Sequence, residues 1–516
     1  MNSSTHLSDG LIRLLTEILG NRKILIVPRI GSAATCRSVS YTRLVMRLGV
    51  CVFALLLWQP LSGQVSPPAP PARLESGTIL PHLPCAAHPE QSYALYLPAN
   101  YSPDRKWPLV VSSDPAARGT VPLELQKDAA EKFGYVLVAS NNSGNGLWKP
   151  RFDATDAVLM DVQTRVSVDP RRIYFAGFSG GARFSSQIAL LCKCGAGVLL
   201  NGAGISNGQS LATDSPFPVF SAIGLLDFNY REVVPLQDLL AKAGYPRWLR
   251  IFDGAHEWAP ADVMEEALAW FRIQAMKSQR EPRDQVFLNA QFSKMQARAD
   301  ALEQSGDLLA AWRESSQVVA TFDGLTDVSA LRGKVDSLSR GKAVRNALKH
   351  EQAEFAEQAQ LTAEITLHFD SSKDDADARF EGDREVRDQI ARLRMNAEHE
   401  KRLEWARIYK RALAGVFIGA MEAGNTSLEE GNFVAAMRLY DLAAQARPAS
   451  EWAWNQLAVA CASAGKKKDA IGALRKGHEL ATDKAAFAKW FRSEPALESL
   501  ASAPEVQPLL PPNEKP

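Results

Sequence analysis

Short apolar runs alternate with amphipathic stretches through residues 81–280. The runs have the length of strands and are rich in β-branched and aromatic residues, whereas the stretches between them repeat their apolar positions with a helical period. The predicted strands are 93–97, 109–111, 135–139, 173–175, 197–200, 219–223 and 248–252. Since strands that alternate with helices form a largely parallel sheet, we predict an α/β domain here.

The chain changes character after this domain. Ala, Glu, Gln, Lys and Arg dominate, apolar positions keep a helical spacing, and strand formers are few. We predict an all-helical connector over 281–415 and helical repeats over 416–510. A shift of 34 residues aligns Gly431 with Gly465, and this period resembles that of tetratricopeptide repeats. A protein or peptide partner on these repeats is therefore one expectation.

A targeting signal begins at Met46 rather than at Met1. Arg47 precedes an apolar run over 48–58, and small and turn-forming residues follow up to Gly63. This is the order of a secretory signal peptide. The run of about eleven residues is shorter than the roughly twenty that a membrane-spanning helix needs, so we predict export to the periplasm or the medium without a stable membrane span.

The predicted N-terminal segments follow from this signal: a non-native upstream extension over 1–45, a signal peptide over 46–63 and a Pro-rich linker over 64–80. A long natural n-region or an uncleaved anchor is the alternative.

The charge balance excludes one class of partner. The 59 Lys and Arg residues nearly cancel the 58 Asp and Glu residues, and the formal net charge is +1. No basic stripe is interleaved with aromatic residues, so a nucleic-acid surface is not predicted. At 516 residues the chain is also longer than one hydrophobic core usually serves, which indicates two or more domains.

Four cysteines follow the predicted signal peptide: Cys85, Cys192, Cys194 and Cys461. In an exported protein Cys85 could form a disulfide with Cys192 or with Cys194, and the sequence does not choose between them. A metal site is not predicted, because a single Cys-x-Cys lacks the four ligands of a structural site.

A candidate nucleophile lies in the pentapeptide Gly177-Phe178-Ser179-Gly180-Gly181. The apolar run 173–175 precedes it and a helical stretch follows it, so the pattern G-x-S-x-G stands between a strand and a helix. Such a turn exposes the serine hydroxyl at the end of the strand. We predict Ser179 as the nucleophile and the Gly180 N–H as an oxyanion donor.

A serine nucleophile needs a base and usually an acid that orients the base. His256 follows the predicted strand 248–252, and Asp227 follows the predicted strand 219–223. The chain order Ser179, Asp227, His256 is the order in which strand-end triads occur on such sheets. Asp253 is the alternative acid, although its place just before His256 is more typical of a turn residue.

Four segments together resemble the secreted α/β-hydrolases related to polyhydroxybutyrate depolymerases and feruloyl esterases, over roughly residues 85–277. The segments are Tyr-Ala-Leu-Tyr-Leu-Pro at 93–98, Val-Asp-Pro-Arg-Arg-Ile-Tyr at 168–174, Ile-Gly-Leu-Leu-Asp at 223–227 and Gly-Ala-His-Glu-Trp at 254–258. The resemblance implies an α/β-hydrolase fold and hydrolysis of carboxylic esters through an acyl-enzyme. No metal or organic cofactor is expected.

One loop departs from that family. Where such enzymes often carry a His-Gly oxyanion loop, this chain has residues 112–119, in which Pro115 offers no N–H. We predict Asp114 or Ala116 as the second oxyanion donor. The polar segment 140–145 ends another strand on the same edge, and it either lines the pocket or forms an ordinary turn.

Three functions therefore compete. An exported serine esterase is the leading prediction, acting on a small or polymeric ester. A serine peptidase of the same fold is the second, because the same triad cleaves amides. The third is a catalytically weak scaffold that binds partners through its repeats. Because the triad precedes Lys277, a chain that ends near Arg280 is predicted to keep its turnover.

Overall fold

The computed structural model describes residues 74–206, 211, 215–369 and 376–510, with the backbone alone described over 376–383. The predicted upstream extension, the signal peptide and most of the Pro-rich linker lie outside these residues. Across the described ranges, no helix combines the length and the apolar character needed to cross a membrane.

A mostly parallel sheet organises the first part of the chain. Its eight strands stand in the order β1-β2-β4-β3-β5-β6-β7-β8, and only β2 runs antiparallel to its neighbours. The strands are β1 Ile79–Pro84, β2 Ser92–Tyr96, β3 Trp107–Ser113, β4 Val136–Ser140, β5 Val168–Phe178, β6 Gly197–Asn201, β7 Val219–Gly224 and β8 Arg247–Phe252. Strand order and direction define the α/β-hydrolase fold, which confirms the predicted fold class.

Five helices pack on this sheet: α1 Thr120–Phe133, α2 Trp148–Arg165, α3 Gly180–Cys192, α4 Tyr230–Lys242 and α5 Ala261–Lys277. The seven predicted strands are all present. Strand β1 was not predicted, because Pro81 and Pro84 argue against a strand interior. It pairs on one side only, with β2 at the edge of the sheet, where a missing N–H is tolerated.

The second part of the chain is helical, as predicted. Among the described residues its α-helices are α6 Gln285–Gln304, α7 Leu308–Phe322, α8 Ser329–Arg340, α9 Lys342–Thr366, α10 Ala376–His399, α11 Leu403–Glu429, α12 Phe433–Ala446, α13 Glu451–Ser463, α14 Lys467–Leu480 and α15 Lys484–Ser493. Gly431 (φ 75°) separates α11 from α12, and Gly465 (φ 73°) separates α13 from α14. Assignment of these helix pairs to the tetratricopeptide family stays a prediction.

The two parts share a hydrophobic core. Leu288 and Met295 of α6 and Val318 and Phe322 of α7 are buried in one cluster with Trp270 of α5. Helices that follow the predicted boundary at residue 280 therefore bury apolar side chains against the α/β part of the chain.

A network of four charged side chains, in which the two glutamates are buried and the two arginines half-buried, reinforces this junction. Glu266 of α5 pairs with Arg250 of β8 and, at 2.6 Å, with Arg298 of α6. Arg298 also pairs with Glu314 of α7. Since a buried charge that loses its partner is strongly destabilising, the two parts of the chain depend on each other.

The cysteines pair differently from either predicted alternative. Cys192 and Cys194 form a disulfide with each other. Cys85 is a buried free thiol, so the interpretation that it bridges to Cys192 or Cys194 is wrong. Burial raises the pKa of the Cys85 thiol to about 11, and the nearby Asp161 charge adds to the effect, which keeps the thiol protonated.

Candidate active site

The candidate nucleophile, Ser179, lies in the sharp turn between β5 and α3. Ser179 adopts φ 53° and ψ −120°, a strained conformation for a residue with a side chain. The glycines near Ser179 have no room for a side chain. A Cβ added to Gly177 would lie 2.2 Å from the Gly181 carbonyl oxygen, and a Cβ added to Gly181 would lie 2.0 Å from the Ser113 carbonyl oxygen. The glycines of the motif thus permit the close packing that exposes Ser179.

The structure brings the three predicted triad residues together at one edge of the sheet. His256 Nε2 lies 2.8 Å from Ser179 Oγ, and His256 Nδ1 lies 2.9 Å from Asp227 Oδ2. With the Nδ1–H donating to the carboxylate, Nε2 is free to accept the proton of the serine hydroxyl. Asp253 is exposed in the loop of His256, so the geometry favours Asp227 as the acid.

Asp227 is shielded from solvent. Its side chain is fully buried and accepts hydrogen bonds from His256 and from the backbone N–H of Asn229 at 2.8 Å. Burial raises the pKa of Asp227, and the hydrogen bond and charge of His256 act against this rise. A buried carboxylate favours a cation beside it, so it can stabilise the imidazolium that forms when His256 takes a proton.

Two aromatic rings flank the candidate base. The Phe178 ring centre lies 4.7 Å from the His256 ring centre. Phe228 belongs to the loop 225–229 that carries Asp227, called the acid loop below, and its ring centre lies 4.4 Å from the His256 ring centre. These contacts restrict rotation of the imidazole, which keeps both of its nitrogen atoms aligned with their partners.

A buried cation lies next to the nucleophile turn. The Arg151 guanidinium of α2 donates to the Gly180 carbonyl oxygen at 3.1 Å and lies 4.2 Å from the Phe184 ring centre. Burial lowers the pKa of Arg151 to about 10, which still leaves it charged at neutral pH. Its positive charge favours negative charge that develops near Ser179. No motif in the sequence singles out this residue.

The loop after β3 is held by a buried carboxylate. Asp114 Oδ1 accepts from the Ala116 N–H at 2.9 Å, and Oδ2 accepts from Trp258 Nε1 at 2.9 Å. Burial opposes ionisation of this group, but hydrogen bonds from Arg118 and Trp258 hold the pKa of Asp114 below its ordinary value. The predicted donor role of Ala116 is therefore corrected, because its N–H is directed at Asp114. A donor role for the Asp114 backbone N–H stays a prediction.

Helices from the second part of the chain support the acid loop. Gln358 of α9 donates to the Phe228 carbonyl oxygen at 2.8 Å, and Arg411 of α11 donates through Nε to the Leu225 carbonyl oxygen at 2.7 Å. Arg411 is 1% exposed, and its guanidinium lies 3.7 Å from the Tyr230 ring centre. Sequence reasoning missed these supports, because no local motif connects them with a loop so distant along the chain.

Helix α11 also packs beside the loop that carries Asp227. An ideal Cβ on Gly415 would lie 3.6 Å from Phe228 Cβ. Two turns further along the helix, burial raises the pKa of Glu422, and the charges of Arg183 and His256 act against this rise. The helical part of the chain therefore forms one wall beside the candidate site.

Metal ligands are not clustered in the part of the chain that the structure describes: no group of three or more His, Cys, Asp or Glu side chains is placed to hold an ion.

Comparison with known proteins gives similarity at the level of solved structures. No family model matches the chain, and no curated protein matches it. An S-formylglutathione hydrolase from Staphylococcus aureus is 13% identical with a TM-score of 0.30, and the match covers 35% of this chain and 90% of that one. An esterase from Pyrobaculum calidifontis is 14% identical with a TM-score of 0.31, over 39% of this chain and 85% of that one.

A ferulic acid esterase is similar to the same degree, at 17% identity and a TM-score of 0.29, over 34% of this chain and 88% of that one. At identities and TM-scores this low, the similarities assign no function to this chain.

Proposed function

We propose that this chain is a serine hydrolase that cleaves carboxylic esters through an acyl-enzyme. The observation that supports it is the continuous chain of hydrogen bonds from Ser179 through His256 to Asp227, at 2.8 and 2.9 Å. Each residue follows the end of a different parallel strand, where polar groups converge on one edge of the sheet.

The reaction needs only this chain and water. Ser179 Oγ attacks the ester carbonyl while its proton passes to His256 Nε2, and Asp227 stabilises the imidazolium. The Gly180 N–H, at the start of α3, donates to the tetrahedral oxyanion. The intermediate collapses as His256 gives its proton to the departing alcohol. Water then attacks the acyl-enzyme by the same route and releases the acid.

Labelling with a fluorophosphonate probe tests the proposal. The wild-type protein is expected to be labelled covalently, Ser179→Ala is expected to be unlabelled, and Ser102→Ala, at a position half-buried like that of Ser179, serves as the matched control. Parallel assays with an ester and an amide of one acyl group separate esterase from peptidase. A folded wild-type chain that is neither labelled nor active would support the scaffold function instead.

We further propose that the protein is exported. The signal-peptide order that starts at Met46 supports this proposal. N-terminal sequencing of the protein from its own host is expected to find a residue near Gln64, and an intact chain from Met1 would contradict it.

A further inference from the structure

The loop between β4 and α2 crosses the nucleophile turn. The Asn145 backbone N–H donates to the Pro115 carbonyl oxygen at 2.7 Å, which ties this loop to the one after β3. An ideal Cβ on Gly180 would lie 2.1 Å from Asn145 Oδ1 and 2.7 Å from Nδ2. The Asn145 carboxamide thus occupies the space that a side chain at position 180 would need, which is a physical reason for glycine there.

The loop after β3 is poor in the donors that an oxyanion requires. Pro115 has no N–H, the Ala116 N–H donates to Asp114 Oδ1 at 2.9 Å, and the Ala117 N–H donates to the Asp114 carbonyl oxygen at 3.0 Å. In hydrolases of this fold a backbone N–H of this loop normally joins the N–H that follows the nucleophile. Residues 115–117 direct no N–H at the position where that donor is needed.

We infer that the Asn145 side chain supplies the second oxyanion donor through Nδ2–H. The Asn145 carboxamide packs against Gly180. An oxyanion that accepts from the Gly180 N–H therefore lies close to this carboxamide. Asn145 is exposed and the terminal torsion of its carboxamide is soft, so the group can turn Nδ2 towards the oxygen. This inference depends on the proposed esterase function, since it assigns a role in the same tetrahedral intermediate.

The test compares Asn145→Ala and Asn145→Asp with the wild type. Asn145→Ala removes the donor, and Asn145→Asp keeps the shape but replaces the amide donor with a carboxylate. Both are expected to lower kcat by about 10²–10³-fold with KM changed less than about threefold, because the bond forms only in the transition state. Affinity for a trifluoromethyl ketone, which forms a tetrahedral oxyanion on Ser179, is expected to fall by a similar factor.

Asn142→Ala is the matched control in the same loop. The Asn142 carboxamide accepts from the Ser92 backbone N–H at 2.9 Å, so its removal is expected to lower the melting temperature and to leave kcat unchanged. Folded Asn145 variants with kcat within threefold of the wild type would overturn the inference and leave the Asp114 N–H as the second donor. Failure of the esterase proposal itself is distinct, because the wild type would then resist the fluorophosphonate probe.

Discussion

The two sides of the triad are built in different ways. On the nucleophile side, Ser179 is positioned by the strand before it, the helix after it and the adjoining glycines. On the acid side, the Asp227 loop is held by Gln358 and Arg411, which lie 130 and 186 residues from the carbonyl groups that they bind. The nucleophile side is therefore a local motif, whereas the acid side depends on the helical part of the chain.

The largest effect is expected from removing that helical part. A chain that ends near Arg280 lacks α6 and α7, which bury Leu288, Met295, Val318 and Phe322 against the hydrolase core. It also leaves Glu266 without Arg298. Although the triad residues are all retained, we expect the shortened chain to lose cooperative folding and all turnover of p-nitrophenyl acetate.

Thermal melting followed by circular dichroism checks this expectation, which reverses the one from the sequence. A shortened chain that melts cooperatively and turns over the ester at the full rate would show that the acid loop needs no helical support. The domain boundary inferred from composition would then also be a boundary in packing.

The next largest effect concerns the triad itself. Ser179→Ala and His256→Ala are each expected to lower kcat by about 10⁶-fold, and Asp227→Asn by about 10⁴-fold, because the residues act as a unit and the acid contributes less. Asp253→Asn is expected to stay near the wild-type rate, since Asp253 is exposed and Asp227 makes the contact with His256. The measurement is ester turnover by variants whose melting temperatures match the wild type.

A severe defect in Asp253→Asn together with a mild one in Asp227→Asn would reverse the assignment of the acid. Activity retained by Ser179→Ala would exclude the acyl-enzyme mechanism altogether.

This contrast also explains what could be predicted from the sequence. Ser179, Asp227 and His256 each follow a recognisable strand, so local patterns predicted that the three side chains meet at one edge of the sheet. The Ala116 donor was wrong because Asp114, two residues earlier, captures its N–H, and no pattern reports the rotamer of a loop carboxylate. Arg411 was missed because its role exists only once the helices have packed against the acid loop.

A single side chain tests the support of the acid side. Arg411→Met removes the hydrogen bond to the Leu225 carbonyl oxygen and the charge that stacks on Tyr230. We expect kcat to fall about tenfold with little change in KM, because the loop that carries Asp227 loses its fixed position. Lys410→Met, at an exposed position of the same helix, is the control.

The coupling of Arg411 to the acid is measurable in a double-mutant cycle. If Arg411 acts through Asp227, Arg411→Met should cost little in an Asp227→Asn background. If the double variant lost kcat by the product of the two single-variant factors, Arg411 would affect the site by a route that does not include Asp227.

The smallest effect on chemistry is expected on the nucleophile side, at Asp156 of α2. This carboxyl is 9% exposed, and its Oδ1 has no hydrogen-bond partner among the described residues. Burial raises the pKa of Asp156 to about 6, the Asp153 charge adds to the rise, and His88 opposes it. The folded state thus binds this proton more tightly than the unfolded state, so stability falls as the pH rises from about 4 through 6.

Asp156→Asn removes the ionisation and should raise the free energy of unfolding by roughly 1–3 kcal/mol at pH 7.5, with the gain shrinking towards pH 4. Denaturant unfolding at several pH values measures this gain. Asp128→Asn, at an exposed position of α1, is the control and should change the free energy of unfolding by nearly the same amount at every pH. Turnover should be unchanged, because among the described residues it is Arg151 of α2, and not Asp156, that binds the Ser179 turn. A gain in stability that also altered kcat would mean that Asp156 influences Ser179 through α2, whose Arg151 donates to the Gly180 carbonyl oxygen, and the nucleophile side would then be less local than its motif indicates.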